Sequence, residues 1–208
     1  KEISDVVEGN GGDVIMTKNS HANGTSRVAE AIYQIDCTHV ILLQGDEPLL
    51  LPSHIDTMSD SLLANPEGDA WNATGSLESP DELDRHSFVK CNIGVSNRII
   101  HCFRRSPCFC DFENQRTFTR KILGIIAYRK EFVMQLMRLE ETPIEKAELI
   151  EQMRIIENGC NLISVEVSPS LPSVNEPEET VIVQNYIKNN PEQQELLNRV
   201  LESLESRS

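Results

Sequence analysis

The sequence predicts an α/β fold, a mostly parallel central sheet with helices on both faces. Short apolar runs of strand character recur between segments whose apolar residues repeat at helical spacing. One of those runs, His39-Val40-Ile41-Leu42-Leu43-Gln44, is apolar without alternation, as expected of a central strand covered on both sides. Size agrees: 208 residues, 39% hydrophobic and 25% charged, suffice for one domain with a sizeable core.

Taken in order, Lys1 to Glu8 reads as the end of a helix with Ile3, Val6 and Val7 on one side, stopped by Gly9-Asn10-Gly11-Gly12. Asp13-Val14-Ile15-Met16 is expected as a short strand. The polar loop His21-Ala22-Asn23-Gly24-Thr25 leads into a helix that carries Val28, Ile32 and Tyr33 to about Ile35. The continuous apolar strand follows and stops at Gly45-Asp46-Glu47-Pro48. Ser53-His54-Ile55-Asp56 has capping-box spacing, with Asp for the usual Glu, ahead of a helix through Ile55, Met58, Leu62 and Leu63. Strands are expected at Ala70 to Ser76, Phe88 to Ile93, Arg98 to Phe103, Ile122 to Tyr128 and Leu162 to Val167. Helices are expected at Lys130 to Leu139 and Pro143 to Glu157, the second opened by Thr142-Pro143-Ile144-Glu145 and stopped by Asn158-Gly159. Two more run from about Glu176 to Ile187 and from Pro191 onward. On the last, Leu196, Leu197, Val200, Leu201 and Leu204 form an apolar stripe suited to docking on the domain itself or on a dimer partner. Residues 1–187 thus form one α/β domain and residues 188–208 an amphipathic helix.

Composition excludes several function classes. Nineteen basic against 33 acidic residues leave a net charge of −14, which argues against nucleic acid as a partner. No apolar run approaches the roughly 20 residues of a membrane span, and Lys1 to Asn10 has no signal-peptide core. Six cysteines without a CxxC pair imply reduced thiols, and a cytoplasmic protein is expected. Cys108-Phe109-Cys110 offers two metal ligands without a second pair. No HExxH, GxSxG, GxxxxGK[ST] or GxGxxG occurs, so zinc hydrolases, nucleophile elbows, P-loops and dinucleotide folds have no signature here.

In α/β sheets ligands bind at the carboxyl ends of strands, which directs attention to the loops after Met16, Gln44 and Val167. Gln44-Gly45-Asp46-Glu47-Pro48 places acids just past a buried strand. Asp46 either caps the next segment or holds a divalent cation with substrate phosphates. Asn23-Gly24-Thr25-Ser26-Arg27 at a helix start is either an ordinary N-cap or a loop whose free amides and Arg27 meet an anion or a base edge. Glu148, Glu151 and Gln152 share a helix face that is either solvated or suited to sugar hydroxyls. Arg104-Arg105 is a basic pair placed for a carboxylate or phosphate, or for surface decoration.

In chain order, several segments stand together: Gly11-Gly12-Asp13-Val14-Ile15-Met16-Thr17, Asn23-Gly24-Thr25-Ser26-Arg27, Gln44-Gly45-Asp46-Glu47-Pro48-Leu49, Val89-Lys90 and Phe103-Arg104-Arg105-Ser106-Pro107. Further on come Leu123-Gly124-Ile125, Ala127-Tyr128-Arg129, Thr142-Pro143-Ile144-Glu145, Glu151-Gln152-Met153-Arg154 and Glu157-Asn158-Gly159. With these the chain resembles the 3-deoxy-manno-octulosonate cytidylyltransferase (CMP-Kdo synthetase) family from its first residues to about Val183. The resemblance implies a nucleotide-diphospho-sugar transferase-like fold of which the first strand-helix-strand unit, with its glycine-rich loop, is expected to be missing here. It implies a cytoplasmic homodimer that joins a 2-keto-3-deoxy sugar acid to CTP with Mg2+ and supplies lipopolysaccharide synthesis, while without the glycine-rich loop these 208 residues alone are not expected to turn over CTP. By position, Asp46 and Asn175 would be metal ligands, and Asn23, Gly24, Thr25, Arg27 and Gln44 would line the cytidine side. Arg105, Glu151 and Gln152 would face the sugar acid, with Asp46 and Arg105 catalytic. Four positions depart from the family pattern. Ser26 replaces an acid, Asn175 an Asp, and Ile122 and Ile126 replace the sugar-contacting His and Tyr. These losses leave open a homologue acting on another 2-keto sugar acid, or a non-catalytic binding subunit on the same scaffold.

Overall fold

The fold follows from strands buried on both sides, whose alternate side chains enter two separate cores. A computed structural model describes residues 2–21, 23–174 and 176–205. Its strands are β1 (His39–Leu43), β2 (Ala70–Gly75), β3 (Lys90–Ile93), β4 (Ile99–Phe103), β5 (Thr119–Arg129) and β6 (Leu162–Glu166). They form one sheet in the order β4-β3-β5-β2-β6, with β1 beside β3 on the same edge of the long β5. Four strands (β1, β2, β3 and β6) run one way and β4 and β5 the other. The sheet is therefore mixed, and the β2/β6 ladder is its parallel neighbour pair.

Leu42, Ala70, Ile126, Tyr128 and Leu162 point to one face. There they pack against α2 (Gly24–Ile32), α6 (Lys130–Leu136) and α8 (Gln152–Glu157) through Ala29, Ile32, Phe132, Val133, Leu136, Met153 and Ile155. Trp71, Ala73, Ile125, Ala127, Ile163 and Val165 point to the other and meet Met58 of α3 (Pro52–Ala64). The continuous apolar run of β1 is explained this way, with Val40 and Leu42 in the first core and Ile41 in the second. Among the described residues β1 ladders only with β5, so it lies at an edge, and Leu43 is 44% exposed.

Several local expectations change. Asp13 to Met16 joins no ladder among the described residues, and Ile15 and Met16 stay more than half exposed. The preceding helix forms as α1 (Glu2–Gly9) but buries none of its side chains. The α3 helix starts at Pro52 with Leu51 as N-cap, because proline at the first position presets the helical φ. Ser53 therefore lies inside the helix, where its carbonyl accepts the Thr57 hydroxyl at 2.8 Å. The helix expected over Pro143 to Glu157 is two, α7 (Pro143–Glu148) and α8, broken at Leu149 in left-handed conformation (φ 56°, ψ 48°). Short helices α4 (Asp81–Asp84) and α5 (Phe112–Gln115) were not expected. At the C-terminal end, α9 (Glu179–Asn189) packs on α10 (Pro191–Glu205). The α10 helix docks on its own chain by buried Gln193, which donates to the Leu49 carbonyl at 2.7 Å, while Leu197, Val200 and Leu201 face outward. Leu204 lies outside the side chains described.

Candidate functional site

The turn after β1 is stitched to β5. Gln44 donates its N–H to the Gly124 carbonyl, and Glu47 Oε1 accepts the Gly124 N–H, both at 2.9 Å. A Cβ at position 124 would stand 2.6 Å from that Glu47 oxygen, so glycine is what lets the carboxylate reach the strand backbone. Burial pushes the Glu47 carboxyl above its ordinary range; the Gly124 N–H opposes this and the neighbouring Asp46 charge adds to it. Held by these bonds, the turn sets Asp46 on the wall of a cleft of about 380 Å³ at the carboxyl end of β1. Asp46 Oδ1 is buried there without a hydrogen-bond partner among the described residues. The loop after β6, at Ser170 to Ser173, forms another wall.

The opposite wall is the corner between α7 and α8. Both oxygens of Glu151 are taken by the loop that opens α2. Asn23 Nδ2 donates to Oε1 and the Thr25 hydroxyl to Oε2, each at 3.0 Å. Asn23 also caps α2 by accepting the Ser26 N–H at 2.9 Å, and Thr25 contacts the buried Tyr128 hydroxyl at 3.2 Å. Burial is the main reason the Glu151 carboxyl titrates above its ordinary value, opposed by the Thr25 hydroxyl. Beside it, Gln152 Nε2 donates to Asn72 Oδ1 at 3.0 Å, and the Asn72 amide is tied to the Leu123 carbonyl at 3.0 Å. One hydrogen-bonded chain thus joins the α2 loop, the α8 start and β5.

Positive charge enters from residues the sequence reading did not select. Lys121 of β5 pairs with Glu82 at 3.0 Å, and Arg85 lies over the Phe88 ring at 4.5 Å with Glu179 at 3.9 Å; all line the cleft. Fully buried Lys90 donates to the Arg85 carbonyl at 2.8 Å and to the Arg104 carbonyl, and burial pushes its ammonium down to about 8. Val89-Lys90 was visible as a family segment, but nothing local marked Arg85, which reaches the cleft from the end of α4, or Lys121, which reaches it through the β5 ladders.

Gln44, Asp46, Glu151 and Gln152 therefore line one cleft, and Asn23 and Thr25 are bonded to its edge. Gly24 sits against Leu42, away from that lining. Arg27 turns the other way, donating to Thr17 Oγ1 at 2.7 Å. Arg105 is also outside the lining: its side chain is 82% exposed and held by Asp84 at 3.0 Å. Arg104 is committed to the Glu148 carbonyl at 3.0 Å. Ile122 lines the cleft and Ile126 is buried in the first core. Asn175 lies outside the described residues. Cys108 and Cys110 form no metal group, since no cluster of three His, Cys, Asp or Glu suited to a metal occurs among the described residues. No helix among them is long and apolar enough to cross a membrane.

The mixed α/β sheet with a carboxylate-lined cleft at its strand ends is shared with a class of nucleotide-using transferases. Residues 1–166 match the sequence model of the Cytidylyltransferase family, and the chain belongs to that family of enzymes. It is 32% identical over 181 residues to the 3-deoxy-manno-octulosonate cytidylyltransferase of Fusobacterium nucleatum, covering 86% of this chain and 74% of that one. The enzyme of the same name from Escherichia coli is 30% identical over 175 residues, covering 84% and 70%. The solved structure of CMP:2-keto-3-deoxy-manno-octonic acid synthetase complexed with CTP matches with a TM-score of 0.79 at 27% identity, covering 88% of this chain and 78% of that one.

Proposed function

We propose that the protein joins the anomeric oxygen of 3-deoxy-manno-octulosonate to the α-phosphorus of CTP, releasing pyrophosphate, as a cytoplasmic homodimer that supplies lipopolysaccharide synthesis. The observation that carries this is the unpaired Asp46 oxygen buried in the cleft. A carboxylate oxygen shut away from water without a donor costs free energy unless a cation meets it. Magnesium is commonly held by one or two carboxylates together with substrate phosphates, so a single carboxylate on the cleft wall suits it. Asp46 would hold the ion, which when bound draws charge from the phosphates. Asn23, Thr25 and Gln44 would meet the cytidine, and Gln152 the sugar acid, with Glu151 fixing the loop between them. The outward Leu197, Val200 and Leu201 of α10 suit a face for a second copy.

A second reading, transfer to a different 2-keto sugar acid, is favoured by Ile122, an apolar side chain on the cleft wall that offers no hydrogen bond to a hydroxyl. Pyrophosphate release by the intact protein with CTP, magnesium and a panel of 2-keto acids decides between them. The expected outcome is turnover with 3-deoxy-manno-octulosonate that falls about a hundredfold or more in Asp46→Asn. Parent-level activity in that variant overturns the assignment, and a clear preference for another acid moves it to the second reading.

A further inference from the structure

At the opposite end of β1 and β5 from the cleft, a second cavity opens. Its floor is set by strand register: His39, the first residue of β1, pairs with Arg129, the last of β5. Lys130, Glu131 and Arg138 on and just after α6 join them around a volume of about 750 Å³. Three cations and one carboxylate line this space, in a chain whose net charge is −14. Arg129 Nε donates to the Gly68 carbonyl at 2.7 Å and Lys130 Nζ to the Ile35 carbonyl at 2.5 Å. Carbonyls satisfy donors without cancelling charge. Among the described residues, none of the three cations stands in an ion pair. Exposed Arg138 has a planar fork of donors suited to an oxyanion. Burial, and after it the Arg129 charge, keeps the His39 imidazole below its ordinary value, so it adds a neutral hydrogen-bonding edge to the same wall.

We infer that this basic cavity binds a small phosphate-bearing anion, at a site separate from the cytidylyl cleft. A multivalent oxyanion gains from each of the three cations, whereas a single carboxylate would leave most of that charge unmet. The inference does not depend on the proposed reaction.

The molecule carries its own reporter. Trp71 is the sole tryptophan, and its ring meets the His39 imidazole edge-on with centroids 5.7 Å apart. An anion drawn in beside His39 favours its protonated form, and a protonated imidazole quenches an adjacent indole. The test titrates inorganic diphosphate into the intact protein at about pH 6.5, near the ordinary histidine value. Ionic strength is held constant with sodium chloride, and tryptophan fluorescence and heat of binding are both followed. Diphosphate is also a product of the proposed reaction, so Arg138→Ala and Asp46→Asn proteins are titrated in parallel. We expect saturable binding with quenching, about tenfold weaker or lost in Arg138→Ala and retained in Asp46→Asn. Because Arg138 is exposed, that variant is expected to keep the parent melting temperature. No saturable response, or one unchanged in Arg138→Ala, overturns the site. So does one lost only in Asp46→Asn, which returns the binding to the catalytic cleft.

Discussion

Glu151 spends both carboxylate oxygens on the loop that opens α2, so under the proposed function it would serve the nucleotide by fixing Asn23 and Thr25. Its buried carboxyl titrates above the ordinary 4.5, and the folded protein therefore binds this proton more tightly than the unfolded chain. That contribution to stability is full below about pH 4.5 and is lost as pH rises through the raised value. Glu151→Gln removes the penalty of a buried charge. Its urea midpoint at pH 7 is expected above that of the parent, with the difference vanishing near pH 4. Glu151→Ala frees the loop and is expected to raise the KM for CTP about tenfold, with a smaller change in kcat, in steady-state assays. At this scale the sequence drew attention to Asp46 as either a cap or a cation ligand, because an acid soon after an apolar run is conspicuous, and the fold puts it on the cleft wall. Arg105 misled, since adjacent arginines look alike in sequence while the chain turns one toward Glu148 and the other toward Asp84.

The corner between α7 and α8 depends on a buried ion pair rather than on a breaker residue. Arg154 Nε and Nη2 donate to Glu145 Oε2 and Oε1 at 2.8 and 2.5 Å, with both side chains only 9% exposed. Glu157, from the far end of α8, accepts the Ile144 N–H at 3.2 Å and the Thr142 hydroxyl at 2.6 Å, so it caps α7 across the corner. Together these bonds hold Leu149 left-handed, a conformation in which a Cβ residue is strained by roughly 1–2 kcal/mol. Glu145→Ala strands a buried guanidinium and is expected to cost about 3–5 kcal/mol in denaturant unfolding. The sequence offered the start of α7 through Thr142-Pro143 and its end with α8 through Asn158-Gly159. Nothing in Glu148-Leu149-Ile150-Glu151 announced the break, because leucine and glutamate favour helix and the bend is imposed by partners distant in sequence. The same holds for Asp13 to Met16, whose β-prone Val14 and Ile15 join no ladder among the described residues.

For the molecule as a whole, charge and sheet topology matter most. A net −14 favours expansion through self-repulsion, while the buried Arg154–Glu145 pair is weakly screened. Raising sodium chloride from roughly 0.01 to 0.15 M is therefore expected to lift the melting temperature by a few degrees, followed by differential scanning calorimetry. Unchanged or falling values would mean that surface ion pairs outweigh the repulsion. Alternating strand and helix signals placed the domain correctly among α/β folds. They did not reveal that β5 runs against its neighbours, since an apolar run has the same composition in either direction.

The long β5 carries Lys121 to Gly124 into the cleft and Arg129 into the basic cavity. Gly124, the cleft residue nearest the C-terminal end of β5, stands about 17 Å from Arg129 at the usual rise of an extended chain. That span is about two screening lengths in physiological salt, so an anion seated at one end exerts only a weakened direct field at the other. Since β1 and β5, laddered to one another, both run from one cavity to the other, a stiff two-strand girder is the route by which a push at one end would arrive at the other.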